Sequence, residues 1–232
     1  MLLPGVVASQ AAAAAAVLTE VSSAKVVRAA VADPWDDTVN IIAGSNRVLL
    51  DLLGNDDDLL SAVALDPAGD NIALAALTGS PQAFASIRAN GAVLLEANFP
   101  GTTGNKTLRA DWAGVTFGAR RTILLENASQ TVFSAGNAVD NNTTLVLSIT
   151  RPTGDFPIGS IIYAFMFGEA AGAYTVTGDA TEVDDDQVST NRQWVFAKGT
   201  LGAANATVSV TFDRDDVGTV QKQGLIIVVE PV

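Results

Sequence analysis

The chain has 232 residues, 48% of them hydrophobic, which is enough to bury a sizeable core as one large β domain or two small ones. It holds no cysteine and no histidine, which excludes disulfides, thiolate metal sites, the commonest general base and the commonest transition-metal ligand. A formal charge of −12, with a pI near 4.2, argues against binding nucleic acid or an anionic membrane through the overall field.

Residues 1–33 differ from everything after them. Residues 10–17 include six consecutive alanines, and Val17, Val21, Ala24, Val27 and Val31 recur at spacings of four and three. Alanine is the best helix former and this spacing lines one helix face, so the sequence predicts an alanine-rich amphipathic helix. Asp33-Pro34 should end it, because the residue before proline is pushed out of the α region. A signal peptide is not expected, since no positive region precedes the apolar run and the first cation is Lys25. Nor is a membrane span: the uncharged run ends at Glu20 and Pro4-Gly5 interrupts its start. Residues 1–37 are therefore expected to form an arm that packs on the body or on a neighbouring subunit, with Trp35 pinning the one to the other.

From Trp35 onward the signals are those of strands. They are expected near 38–42, 47–53, 62–65, 72–77, 83–88, 92–97, 106–110, 115–117, 120–126 and 130–133. The separators are turn residues: Gly44-Ser45-Asn46, Gly54-Asn55-Asp56, Pro67-Ala68-Gly69-Asp70, Asn90-Gly91 and Pro100-Gly101. Asn90-Gly91, between two alternating runs, predicts a tight hairpin.

The strongest patterning lies in 143–150 (TTLVLSIT), 161–167 (IIYAFMF), 192–198 (RQWVFAK), 206–213 (ATVSVTFD) and 224–230 (GLIIVVE). Val208, Val210 and Phe212 alternate with Ser209 and Thr211, as in a half-buried strand. Residues 161–167 and 225–229 are apolar on both faces and should be covered on both sides. Trp194 and Phe196 share a face and read as core. Many short strands separated by turns predict an all-β sandwich or barrel, jelly-roll or Greek-key like, over residues 38–232. The segment 151–157 (RPTGDFP) reads either as a boundary at which that body splits into two small β domains or as a long crossover inside one Greek-key or jelly-roll domain, with a single body favoured. No sequence repeat relates the two halves.

Recognisable chemistry is sparse. Three acidic clusters are expected in loops: Asp56-Asp57-Asp58; Glu182 with Asp184, Asp185 and Asp186; and Asp213 with Asp215-Asp216. Calcium takes about six to eight oxygens, which loop carboxylates and carbonyls supply, and Asp184, Asp185 and Asp186 are the candidate ligands. None of the clusters follows the EF-hand spacing, and solvated loop tips are the plainer reading. Adjacent aspartates on a loop make a poor glycosidase pair, because nothing beside them raises the pKa of one. Residues 100–107 (PGTTGNKT) miss the phosphate-loop spacing, and no G-x-S-x-G elbow occurs. An enzyme is not expected. Sequons at Asn105, Asn127, Asn141, Asn142 and Asn205 use the residue types that β-turns also use.

An N-terminal arm, an all-β body, and an acidic chain with only Lys25, Lys106, Lys198 and Lys222 as lysines resemble virion structural proteins. The resemblance is to β-barrel capsid subunits and capsid-decoration proteins, here of a virus of a salt-loving host. It implies a structural protein in the virion that self-associates or contacts other capsid proteins, without binding nucleic acid directly. Residues 52–59 (LLGNDDDL) and 89–103 (ANGAVLLEANFPGTT) also resemble cadherin-like repeats of bacterial surface proteins, though the tyrosine-proline pair of those repeats is missing. That second resemblance implies a secreted or cell-surface β module that binds calcium or a protein partner through acidic loops.

Overall fold

The structure, a computed structural model, describes residues 16–31, 33–56, 60–80, 82–84, 87–112, 116–140, 144–169, 172–214 and 220–232. In chain order the strands are β1 (Thr19–Val31), β2 (Trp35–Ile41), β3 (Val48–Asp56), β4 (Leu60–Leu65), β5 (Ile72–Ala73) and β6 (Ala75–Ala76). Next come β7 (Gln82–Phe84), β8 (Ile87–Leu95), β9 (Gly104–Trp112), β10 (Thr116–Glu126), β11 (Ala128–Asp140) and β12 (Thr144–Thr150). The last are β13 (Ile161–Glu169), β14 (Tyr174–Gly178), β15 (Thr181–Ser189), β16 (Arg192–Thr200), β17 (Thr207–Arg214) and β18 (Lys222–Pro231). The described residues are all-β; their only helical turn is a short 3₁₀ stretch at Glu96–Asn98.

These strands build four antiparallel sheets. Sheet A has the order β1-β10-β3-β8-β6, with β7 also on β8; sheet B is β2-β9-β4-β5; sheet C is β11-β18-β13-β16-β15; sheet D is β12-β17-β14. In the first half of the chain the pairing is nested: β1 and β2 take β10 and β9, and β3 and β4 then add to the other side of those partners. The second half follows the same order, with β11-β18-β13-β16 in one sheet and β12-β17-β14 in the other, except that β15, the counterpart of β5, pairs with β16 in sheet C instead of extending sheet D. The changeover from sheets A and B to sheets C and D falls at Asn127, while 151–157 carries the chain from sheet D to sheet C.

Period-two alternation stacks the sheets in the order B, A, C, D. In β3, Leu49 and Leu53 join Trp35, Leu108 and Trp112 between sheets A and B, while Val48, Leu50 and Leu52 face the other way. There they meet Tyr163, Phe165, Trp194 and Leu225 of sheet C. The alternate residues of sheet C, among them Ile162, Met166, Val195 and Ile226, pack on Leu147, Val210 and Phe212 of sheet D. Sheets A and C are covered on both faces, which is why β13 and β18 contain continuous apolar runs and β3 is buried along its whole length. Each large apolar side chain fully buried in these layers contributes about 1.5–3 kcal/mol.

Several sequence expectations are corrected. Residues 19–31 are not helical but form an edge strand of sheet A, paired antiparallel with β10. Val27 packs into the layer between sheets A and C, whereas Val26 packs into the layer between A and B. Register shifts at Glu20/Ser22 and Arg28/Val31 interrupt the alternation, leaving a spacing that imitates a helix. The alanine run lies outside the described residues except for Ala16. Asn90-Gly91 is no hairpin turn: β8 runs straight through it, pairing Asn90 with Leu53 and Gly91 with Leu52. Gly54-Asn55-Asp56 likewise lies inside β3. Both glycines mark close approach of sheets A and C. A Cβ at Gly91 would lie 2.7 Å from Leu225 Cδ2, and one at Gly54 would lie 2.6 Å from Phe167 Cδ2. The barrel alternative is not seen, since no sheet closes on itself among the described strands. Finally, the acidic segment around Asp185 is strand β15 rather than a loop.

Candidate interaction surfaces

Strand alternation divides Asp184, Asp185 and Asp186 between two faces of β15. Asp184 and Asp186 pair opposite Phe196 and Trp194, whose side chains point toward sheet A. There Lys25 Nζ of β1 donates to Asp184 Oδ1 at 3.0 Å and to Asp186 Oδ2 at 2.6 Å. Arg121 of β10 donates Nη2 to Asp184 Oδ2 and Nη1 to Ser23 Oγ, with its guanidinium 4.3 Å from the centre of the Phe196 ring. Partial burial works against the Lys25 charge, but the bonds to Asp186 and Asp184 outweigh it and hold Lys25 above its ordinary value. Asp185 turns toward sheet D, accepting from Gln193 Nε2 and from the backbone N–H of Tyr174.

The three carboxylates thus form a seam between layers instead of a cluster. Among the described residues, no group of three or more acidic side chains could hold a metal ion. Of the other two clusters, Asp56 accepts from Arg192 at 2.8 Å and Asp213 accepts from Thr144 Oγ1 at 2.6 Å. Asp57, Asp58, Asp215 and Asp216 lie outside the described residues. The seam continues through Glu20, which takes Lys198 Nζ at 2.8 Å and the Tyr163 hydroxyl at 2.7 Å. Burial pushes the Tyr163 phenol far up, and the neighbouring Glu20 charge pushes it further, so Tyr163 stays a neutral donor. Sequence reasoning missed this seam. Its partners come from β1, β10, β13, β15 and β16, and no local spacing relates them.

A second charged constellation is sealed between sheets A and B. Arg120, 1% exposed, grips fully buried Asp51 through Nε and Nη2, each at 2.8 Å. Its Nη1 reaches the carbonyls of Trp35 (3.1 Å) and Leu108 (3.0 Å) and Asp37 Oδ2 (3.3 Å). Burial raises the Asp37 carboxyl, and the Arg120 and Arg28 charges only partly offset this. The group acts as a clamp across strands β10, β3, β2 and β9.

The outer surfaces of the stack differ in charge. Sheet B presents the Asp36–Arg109 fork, with bonds of 2.8 and 2.6 Å. On sheet D the outward positions are Thr144, Val146, Ser148 and Thr150 on β12, Thr207, Ser209, Thr211 and Asp213 on β17, and Thr175 and Thr177 on β14. Asp213 is the single charge in that set. The long sheet edges differ in the same way. β1, β2 and β15 carry Glu20, Lys25, Arg28, Asp36, Asp37, Glu182 and the three aspartates, whereas β12 carries no charge and β11 none before Asp140. Strands β11 and β12 flank one groove of about 390 Å³.

No helix among the described residues is long and apolar enough to cross a membrane. Comparison with known protein families, curated proteins and solved structures found no match.

Proposed function

We propose that this chain is a structural subunit of a virion or comparable particle and acts by self-association. The observation that carries the reading is the strand order. β1-β10-β3-β8 facing β2-β9-β4-β5 is a nested, two-sheet arrangement, and β11-β18-β13-β16 facing β12-β17-β14 follows it apart from β15, which joins the larger sheet. The nested order supports a jelly-roll reading, the double-sheet architecture that recurs in viral capsid domains, and also in lectins and cupins. The fold alone does not fix the role. Two further features favour assembly. The charged groups of the interior and the seam are engaged with one another, and the surface joins a long uncharged edge to a hydroxyl-rich face.

The mechanism follows from charge. At −12, copies repel at low ionic strength and remain soluble. Molar salt shortens the screening length to about 3 Å, so uncharged surfaces can meet. Negative-stain microscopy in low and in molar salt, each with and without calcium, tests this. Regular particles or arrays in molar salt, independent of calcium, are the expected result. Dispersed single subunits in all four conditions would overturn the reading.

A further inference from the structure

We propose that β11 is the assembly edge, pairing antiparallel with β11 of a second copy about a twofold axis so that two sheets C become one continuous sheet. This names the contact for the self-association reading and rests on it.

A sheet edge offers unpaired N–H and C=O groups to any extended chain, and proteins guard such edges by shortness or by charge. The short edge strands here are β5, β6, β7 and β14. Charge guards β1, β2 and β15. β11 has neither protection: it is 13 residues long, pairs only with β18 among the described strands, and reads ASQTVFSAGNAV before its first charge at Asp140; register shifts at Ala128/Val132 and Asn137/Asp140 bulge its two ends, so the stretch open to regular pairing is Val132–Asn137. The neighbouring edge, β12, is uncharged too and, among the described strands, pairs only with β17.

Charge also selects the occupant. The groove beside β11 is lined by Val132, Phe133, Ala135, Ile149, Thr150 and Pro152, among others, none of them ionisable. The nearby cation, Arg151, is engaged by Glu230 at 2.6 and 3.1 Å and lies over Phe133. Nothing there recruits a charged ligand. A copy of a −12 chain, by contrast, can approach another closely only where acidic groups do not meet. A twofold axis brings this uncharged strand against itself, the self-complementary contact of the commonest dimers. The groove gives room for side chains that the second copy's strand turns toward sheet D.

Sedimentation velocity on the full chain tests the contact, using wild type, T131E, T131K and a 1:1 mixture of the two variants. The salt is the lowest at which wild type associates, and far-UV circular dichroism checks folding. Thr131 is exposed where the regular stretch of β11 begins, and the proposed axis passes beside it, so both substitutions bring like charges face to face and leave the core intact. The expected result is at least tenfold weaker association for each variant alone, because like charges meet across the twofold. The mixture should return to within about threefold of wild type through opposite-charge pairs across the strands. Wild-type association by both single variants, or weakened association without rescue on mixing, would place the contact elsewhere and overturn the proposal while leaving self-association standing. A wild type that stays monomeric at every salt would overturn both.

Discussion

Replacing Arg120 with methionine (R120M) strands the carboxylate of Asp51 in the layer between sheets A and B. Asp51 is fully buried, and its two bonds of 2.8 Å to Arg120 are the ones that disappear. Methionine keeps most of the volume, so the change is electrostatic rather than a cavity. Breaking a buried pair from one side costs about 3–5 kcal/mol, because the remaining charge is uncompensated. The carbonyls of Trp35 and Leu108 also lose a donor, which argues for the upper part of that range. With a urea slope of about 3 kcal/mol/M, the unfolding midpoint should fall by about 1–2 M. In the double variant R120M/D51N no fully buried charge is stranded, and Asp37 keeps its pairing with Arg28, so the loss should be smaller than the sum of the single losses by about 1–3 kcal/mol. Urea titrations followed by tryptophan fluorescence measure all three variants. A loss below about 1 kcal/mol for R120M, or strict additivity, would refute the clamp.

The other predictions concern packing, pH and metal. G91A places a methyl group 2.7 Å from Leu225 Cδ2 and 2.8 Å from Leu77 Cδ1, so overpacking should cost about 1–3 kcal/mol by urea unfolding; an unchanged midpoint would contradict the close approach of sheets A and C. Glu96 lies below its ordinary value of 4.5 because Arg47 hydrogen-bonds its carboxylate, against a smaller effect of burial. Its contribution is therefore present above 4.5 and lost as pH falls through the depressed value, and E96Q should flatten the acid limb of a stability–pH profile. Asp37, raised by burial, has the opposite sign: its contribution is present below 3.8 and lost as pH rises through the raised value, so D37N should relieve that loss. With Asp184 and Asp186 already engaged by Lys25 and Arg121, millimolar calcium should leave the melting temperature unchanged; a rise abolished by D186N would show that the metal displaces Lys25.

Strands that are half-buried or covered on both faces were legible in the sequence, because their side chains report a two-residue period or an apolar run whatever they pack on. Thr207–Arg214 and Ile161–Glu169 are of this kind. Thr19–Val31 was not legible, because its valines serve two different apolar layers and register shifts break the alternation. The glycines of β3 and β8 look like turn residues until sheet C is in place, since what they accommodate, Phe167 and Leu225, is over a hundred residues away. Asn90 misleads for a related reason: its amide donates to Asn55 Oδ1 in a buried pair instead of shaping a turn. Asp184, Asp185 and Asp186 could be found as a cluster but not placed. Only the fold brings Lys25 and Arg121 across from sheet A and divides the three carboxylates between two faces.

Molar mass by light scattering, at one protein concentration in low and then molar salt, tests self-association most directly. The account predicts a species near 23.8 kDa in low salt and a multiple of that mass in molar salt. A mass of one subunit at both salt concentrations would contradict it.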